Sequence, residues 1–270
     1  MTATPAHLAL DTNRIWEDAL HTLRSNREVM LVLAGVFVLL PTLAILFFWP
    51  FPEPKPDELF AVFLQRIGTY SDQTWWQWVA VLGLQTLGVQ TMLTVIADPS
   101  RPTVKAALVK AVAAFASLFA AIVAVSVLAS LVLSIIIAVG SAFGSFPLAL
   151  LATVLGTVAA LYLLARFALI APLVQLEGIR NPFAALRQSL ALTRGCGWQL
   201  LGFMVLLYIA VYVVAWLAGA VILLFASLFA PADALQLLQK VLQALSQAAM
   251  VPVFAGVLAG LYRQLGGAAA

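Results

Sequence analysis

The sequence predicts an all-α polytopic membrane bundle of about six transmembrane helices with short amphipathic interfacial helices. Three observations lead there. Hydrophobic residues make up 64% of the 270 positions and charged residues only 9%, whereas a water-soluble domain carries about a quarter charged. Several apolar runs match or exceed the about 20 residues that a helix needs to cross the hydrocarbon core. The runs are continuous, which excludes the alternating apolar and polar strands of a membrane barrel.

Residues 1–10 show no apolar period and read as a loose tail. Over residues 11–28, Ile15, Trp16, Ala19, Leu20 and Leu23 recur at helical spacing, with the charged side chains largely elsewhere. Asp11, Thr12 and Asn13 are candidate N-caps, so an amphipathic helix on the membrane surface is predicted. The apolar run that follows is too long for the core of a secretion signal and is read as a retained span at 29–49. Pro50, Pro52, Pro54 and Pro56 end it, since alternate prolines favour an extended path. Leu59, Phe60, Phe63, Leu64 and Ile67 predict a second short amphipathic helix, and Trp75, Trp76 and Trp78 an aromatic anchor where the second span, 75–97, enters the membrane.

A polar turn at Asp98–Pro102 leads to the third span at 106–139, and Gly140, Ser141, Gly144 and Ser145 separate it from the fourth at 146–176. Asn181 as N-cap and Pro182 at the first helical position open a third amphipathic helix. Its Phe183, Leu186 and Leu190 are expected against the bundle or membrane surface, with Gly195 as terminator. The last spans are predicted at 198–229 and 235–262, leaving a tail from 263 that is too short for a domain.

The net charge of +3 is small and no basic cluster interleaves with aromatics. The charge therefore speaks of topology and anionic lipid, and no nucleic-acid partner is expected. With both termini and the second and fourth connections on one side, only Lys55, Arg66 and Lys240 of the 14 basic residues lie opposite. This positive-inside bias predicts a bacterial inner membrane with both termini cytoplasmic. Cys196 is the single cysteine, and His7 and His21 join no zinc or Ser/His/Asp arrangement. Neither a P-loop nor a dinucleotide fingerprint occurs, so no cofactor is expected. The carboxylate pairs Glu17/Asp18 and Asp57/Glu58 lie in solvated stretches, which leaves no catalytic constellation. The two halves show no sequence repeat of the kind that marks many transporters.

Arg166-Phe167, Pro172, Glu177-Gly178, Asn181-Pro182, Ala185-Leu186-Arg187, Ser189, Leu192-Thr193-Arg194-Gly195 and Trp198 together resemble the membrane domain of glycerophosphoryl diester phosphodiesterases and its stand-alone relatives. The resemblance implies the fold and a cytoplasmic loop. It implies no phosphodiesterase activity, because in fused members a separate soluble barrel carries that chemistry and this chain has no room for one.

Arg166 interrupts an apolar run and must face protein, water or a headgroup. Glu177 follows eleven residues later, about 16 Å along a continuous helix, with Pro172 between them. Two readings stand: Arg166 snorkels while Glu177 pins the loop helix, or Arg166, Arg187 and Arg194, with Glu177 nearby, form a site for an anionic headgroup or substrate. Gln85 and Gln90 in the second span, with Thr86 and Thr94, and Gln239, Gln243 and Gln247 in the sixth form polar faces. They serve either interhelical hydrogen bonding or a hydrated path. Ser126, Ser130 and Ser134, Gly140 to Gly144, and Gly256 with Gly260 give small-residue faces for contacts within the chain or between copies. Pro41, Pro172 and Pro252 are expected as static kinks. The function expected is a non-enzymatic membrane module that binds anionic lipid headgroups or organises a membrane partner, homo-oligomers included. A transporter of a lipid or other amphiphile is the alternative, and an intramembrane enzyme the third.

Overall fold

In the computed structural model, described for residues 10–55, 58–100, 102–142 and 144–266, the chain is an all-α bundle with six helices long and apolar enough to cross a membrane. The expected N-terminal tail through Ala9, and Asp57, Arg101 and the tail from Gly267, lie outside the described residues. The spans are Arg27–Phe48, Ala61–Ala97, Val104–Ala142, Phe146–Leu176, Gly197–Ala226 and Ala232–Gly266.

Helix α1 (Thr12–Ser25) starts where Asp11 accepts a hydrogen bond from the Arg14 backbone N–H at 3.1 Å. Its apolar stripe does more than float on a membrane surface: Ile15 and Ala19 are fully buried against the last helix, α10 (Ala232–Gly266). Gly256 and Gly260 admit this close approach, since a Cβ on Gly260 would stand 3.2 Å from the Ile15 carbonyl oxygen. That small-residue face is thus used within the chain.

The first span is two helices, α2 (Arg27–Ala34) and α3 (Leu40–Phe48), joined by a π-helical turn at Gly35–Leu39. Pro41 explains the turn. Its ring cannot face the Phe37 carbonyl in a regular helix, and inserting one residue relieves the clash, with the Leu40 N–H reaching back to the Gly35 oxygen. Gly88 lies against Phe37 at this turn.

The second span departs from expectation. The separate amphipathic helix near Leu59–Ile67 and the span from Trp75 are one helix, α4 (Phe60–Ala97), of 38 residues. Residues 68–74 are polar but contain no proline, and Thr69 and Thr74 bond back to the carbonyls four residues earlier, so nothing stops the helix. At about 1.5 Å per residue α4 is roughly 57 Å long. Its first turns therefore stand outside a hydrocarbon layer about 30 Å thick. There Arg66 holds the preceding loop through the Glu58 carboxylate at 2.9 Å and the Glu53 carbonyl oxygen at 2.6 Å.

Helix α5 (Val104–Ala142) and α6 (Phe146–Arg166) form a tight hairpin in which Gly140 touches Ala152 and Gly144 takes a left-handed φ of 63°. The fourth span then breaks at Phe167–Leu169 before α7 (Ile170–Leu176). Pro172 is the cause, for it offers no N–H to the Ala168 carbonyl and its ring crowds that oxygen. The amphipathic helix α8 (Pro182–Leu192) is capped by Asn181, whose side-chain oxygen accepts from the Phe183 N–H at 3.0 Å. The face it buries is Ala185 and Ser189, with Leu186 and Leu190 packed at the edge, whereas Phe183 is 72% exposed, open to the membrane surface rather than seated on the bundle.

Helix α9 (Gly197–Ala226) follows, and α10 returns to α1. The helix alternation gives the bundle two ends. One carries α1, α8, the start of α9 and the end of α10; the other, here the hairpin end, carries the α9–α10 connection.

Candidate functional site

Arg166 ends α6 at the α8 end of the bundle, half-buried, and its guanidinium is committed to neighbours in the chain. Nε donates to Thr193 Oγ1 at 2.8 Å, Nη2 to the Leu190 carbonyl oxygen at 2.7 Å and Nη1 to Tyr162 Oη at 3.2 Å. The Arg166 carbonyl in turn accepts from Ser189 Oγ at 2.8 Å. The two acceptors on the α8 side are the orphan carbonyl of a helix end and the hydroxyl just past it, groups that a cation satisfies well. Arg166 thus ties the C-terminus of α8 to that of α6. Gly197 makes room for it, since a Cβ there would lie 2.9 Å from the Arg166 Cδ.

Glu177 does not meet Arg166. It accepts from Gln188 Nε2 at 2.6 Å and from Tyr262 Oη at 2.8 Å, joining the end of α7 to α8 and α10. Arg187 and Arg194 are exposed, and neither forms an ion pair among the described residues. The four residues therefore form two separate clamps and two free surface cations. Cys196, just past this loop, is buried, and burial pushes its thiol pKa up despite the positive charge of Arg166.

The glutamines divide into three environments. Gln85 Nε2 donates to Thr42 Oγ1 at 3.4 Å, which donates to Gln247 Oε1 at 3.3 Å, a relay joining α4, α3 and α10. Gln90 is fully buried and both amide atoms lack a partner among the described residues. One turn on, Thr94 Oγ1 accepts from Gln175 Nε2 of α7 at 2.5 Å. Gln239 and Gln243 line a groove between α9 and α10.

That groove has a volume of about 870 Å³. It exists because α9 is fully buried only near its start: Gly197, Leu200 and Leu207 are its buried residues, all within its first eleven positions. Beyond Leu207 no residue of α9 is fully buried, and the groove opens beside Tyr208, Tyr212 and Trp216. Tyr208, Tyr212 and Trp216 line one wall, more than half exposed. Gln239, Gln243 and Gln247 line the other, at four-residue intervals that keep them on one helical face, followed by apolar Met250, Phe254 and Leu258. The sequence contained the signal on α10, as a glutamine stripe. On α9 it gave none, because that helix is apolar all round and does not show which side stays uncovered.

Comparison with family models, curated proteins and solved structures gives no match for this chain.

Proposed function

We propose that the chain is a non-enzymatic integral membrane module that binds a lipid-like amphiphile in the groove between α9 and α10. The observation that carries this reading is the groove itself, whose volume falls within the range of small-ligand sites. Its walls differ in kind, one aromatic and the other amide-lined before it turns apolar. Bare glutamines facing hydrocarbon are costly, and a ligand with polar and apolar parts satisfies both surfaces. Binding is favoured over conduction because the polar stripe stops at Gln247 and the deeper groove is apolar.

Kinship with the membrane domain of glycerophosphoryl diester phosphodiesterases belongs to the same proposal. Arg166, Ser189 and Thr193 support it by giving residues of the resembling segment a shared structural job, tying the end of α8 to that of α6. The basic-residue asymmetry supports a bacterial inner membrane with cytoplasmic termini. In a Cys196→Ser background, cysteines at Ser71 and Ser100 should then react from opposite sides, Ser71 in intact cells. Labelling of both from one side refutes that orientation.

The binding reading is tested by native mass spectrometry from a non-ionic detergent, comparing the wild type with Gly219→Trp, which places an indole in the groove. Retained amphiphile on the wild type and its loss on the variant are expected. Equal retention by both, with the variant folded, would refute the groove as the site.

A further inference from the structure

The groove is amphipathic along its length and carries no charge, and we infer that its ligand is an amphiphile with an uncharged, hydrogen-bonding headgroup, such as a diacylglycerol, held with its head towards the hairpin end. This inference rests on the groove reading above and deepens it to a ligand class.

Charge decides the headgroup. No Asp, Glu, Lys, Arg or His lines the groove among the described residues. The basic residue nearest in sequence, Lys240, is turned elsewhere, with its ammonium 5.6 Å from the centroid of the Phe47 ring on α3. An anionic headgroup would lose its hydration with no cation to compensate, which is strongly unfavourable in a low-dielectric groove. Amides suit hydroxyl and ester groups instead, because each offers a carbonyl acceptor and two N–H donors. Among the described residues the amides of Gln239 and Gln243 have no hydrogen-bond partner, and both line the groove. Gln247 commits only its oxygen, to Thr42, and keeps its N–H groups available.

Position decides the orientation. Gln239 lies seven residues after the first residue of α10, so it stands nearer the hairpin end than the other two. The stripe from Gln239 to Gln247 covers about 12 Å and the whole wall to Leu258 about 28 Å, close to the thickness of a hydrocarbon core. Tyr208 packs on Phe254 at 6.3 Å between ring centroids, which fixes the register of the two walls in the deep half. The antiparallel pairing then sets Trp216 and Gly219 opposite Ser246 and Gln243. A head bonded to the glutamines thus puts its chains along Tyr212, Met250 and Phe254, towards the bundle middle.

The experiment uses the full chain in phosphatidylcholine nanodiscs containing equal trace amounts of diazirine-tailed diacylglycerol or diazirine-tailed phosphatidylglycerol. After irradiation, peptide mass spectrometry reads the label on the α9 and α10 segments that line the groove. Diacylglycerol is expected to exceed phosphatidylglycerol there by about tenfold, the ratio that 1.4 kcal/mol of preference produces. The variant Gln239→Leu/Gln243→Leu should lower diacylglycerol labelling of the groove several-fold and leave phosphatidylglycerol labelling low, since the amide bonds are gone and a charge is no better matched by leucine. Equal or greater labelling by phosphatidylglycerol on the wild type overturns the uncharged-head inference and leaves the groove reading standing. Label confined to outer faces of the bundle, with the groove segments bare, overturns the groove reading itself.

Discussion

Replacing Arg166 gives the sharpest test of how the α8 end is held. Arg166→Leu removes three hydrogen bonds, two of them short, to Thr193, Leu190 and Tyr162. Each bond from a charged donor is worth about 1.5–3 kcal/mol in water-soluble proteins. The unfolded chain in a membrane finds substitute partners, and measured interhelical bonds there average about 0.6 kcal/mol. The two short bonds and the one longer bond then sum to about 2–4 kcal/mol, offset in part by the relief of burying a cation. Arg166→Lys retains the charge and one bond but not the fork that serves Thr193 and Leu190 together, so it should lose about half as much. Thermal unfolding in detergent, followed by circular dichroism, should place leucine lowest, lysine between and wild type highest. Hydrogen exchange should show the loss concentrated in residues 182–193. A Thr193→Val partner closes a double-mutant cycle, in which the Arg166→Leu and Thr193→Val costs should be less than additive. A leucine variant as stable as the wild type or more so would refute the clamp and make Arg166 a topology marker alone.

Three other outcomes follow from contacts elsewhere. The Asp98 carboxyl is held down to about 2 from a usual value of 3.8, first by its hydrogen bond from Lys110 at 2.6 Å and next by Ser100. A lowered folded pKa stabilises above the unfolded value and is lost as pH falls through the window from 3.8 to about 2. Asp98→Asn should therefore cost about 0.5–1 kcal/mol at neutral pH, because Lys110 is largely exposed, and nothing near pH 2, as pH-dependent melting would show. Gln90→Leu removes a buried amide without partners and should raise the melting temperature by a few degrees; a fall would mean that the amide has a partner, such as a bound water. Gly260→Val should drive α1 off α10, seen as a gain in thiol labelling of a cysteine at Ala19, whereas unchanged protection would contradict the close contact at Ile15.

The six spans were legible because length and apolar continuity are local properties of the sequence. The continuity of α4 before Trp75 was not legible, because the apolar period of Leu59–Ile67 and the anchor at Trp75–Trp78 read as separate elements, although residues 68–74 hold no residue that stops a helix. At Arg166 the need for a polar partner could be read from the apolar run around it, but not the partners, which lie 24 and 27 residues further on at the end of α8. The seating of α8 was legible only in part, for a related reason. Its apolar Leu186 and Leu190 show in the pattern, while the fully buried face is made by small Ala185 and Ser189, which allow close approach to α5 and α7. The glutamines on α10 were visible as a stripe, yet their division between the Thr42 relay and the groove depends on which part of α10 is left uncovered by α9, a matter of packing between whole helices.

The docking of α1 on α10 also constrains the order of assembly. The surface that covers Ile15 and Ala19 is built from Gly256 and Gly260, residues about 240 positions later in the chain. During synthesis α1 must wait, its apolar stripe resting at the lipid boundary, until all five earlier spans and the sixth have been inserted. Closing that contact joins the first helix to the last and turns a row of inserted hairpins into a ring.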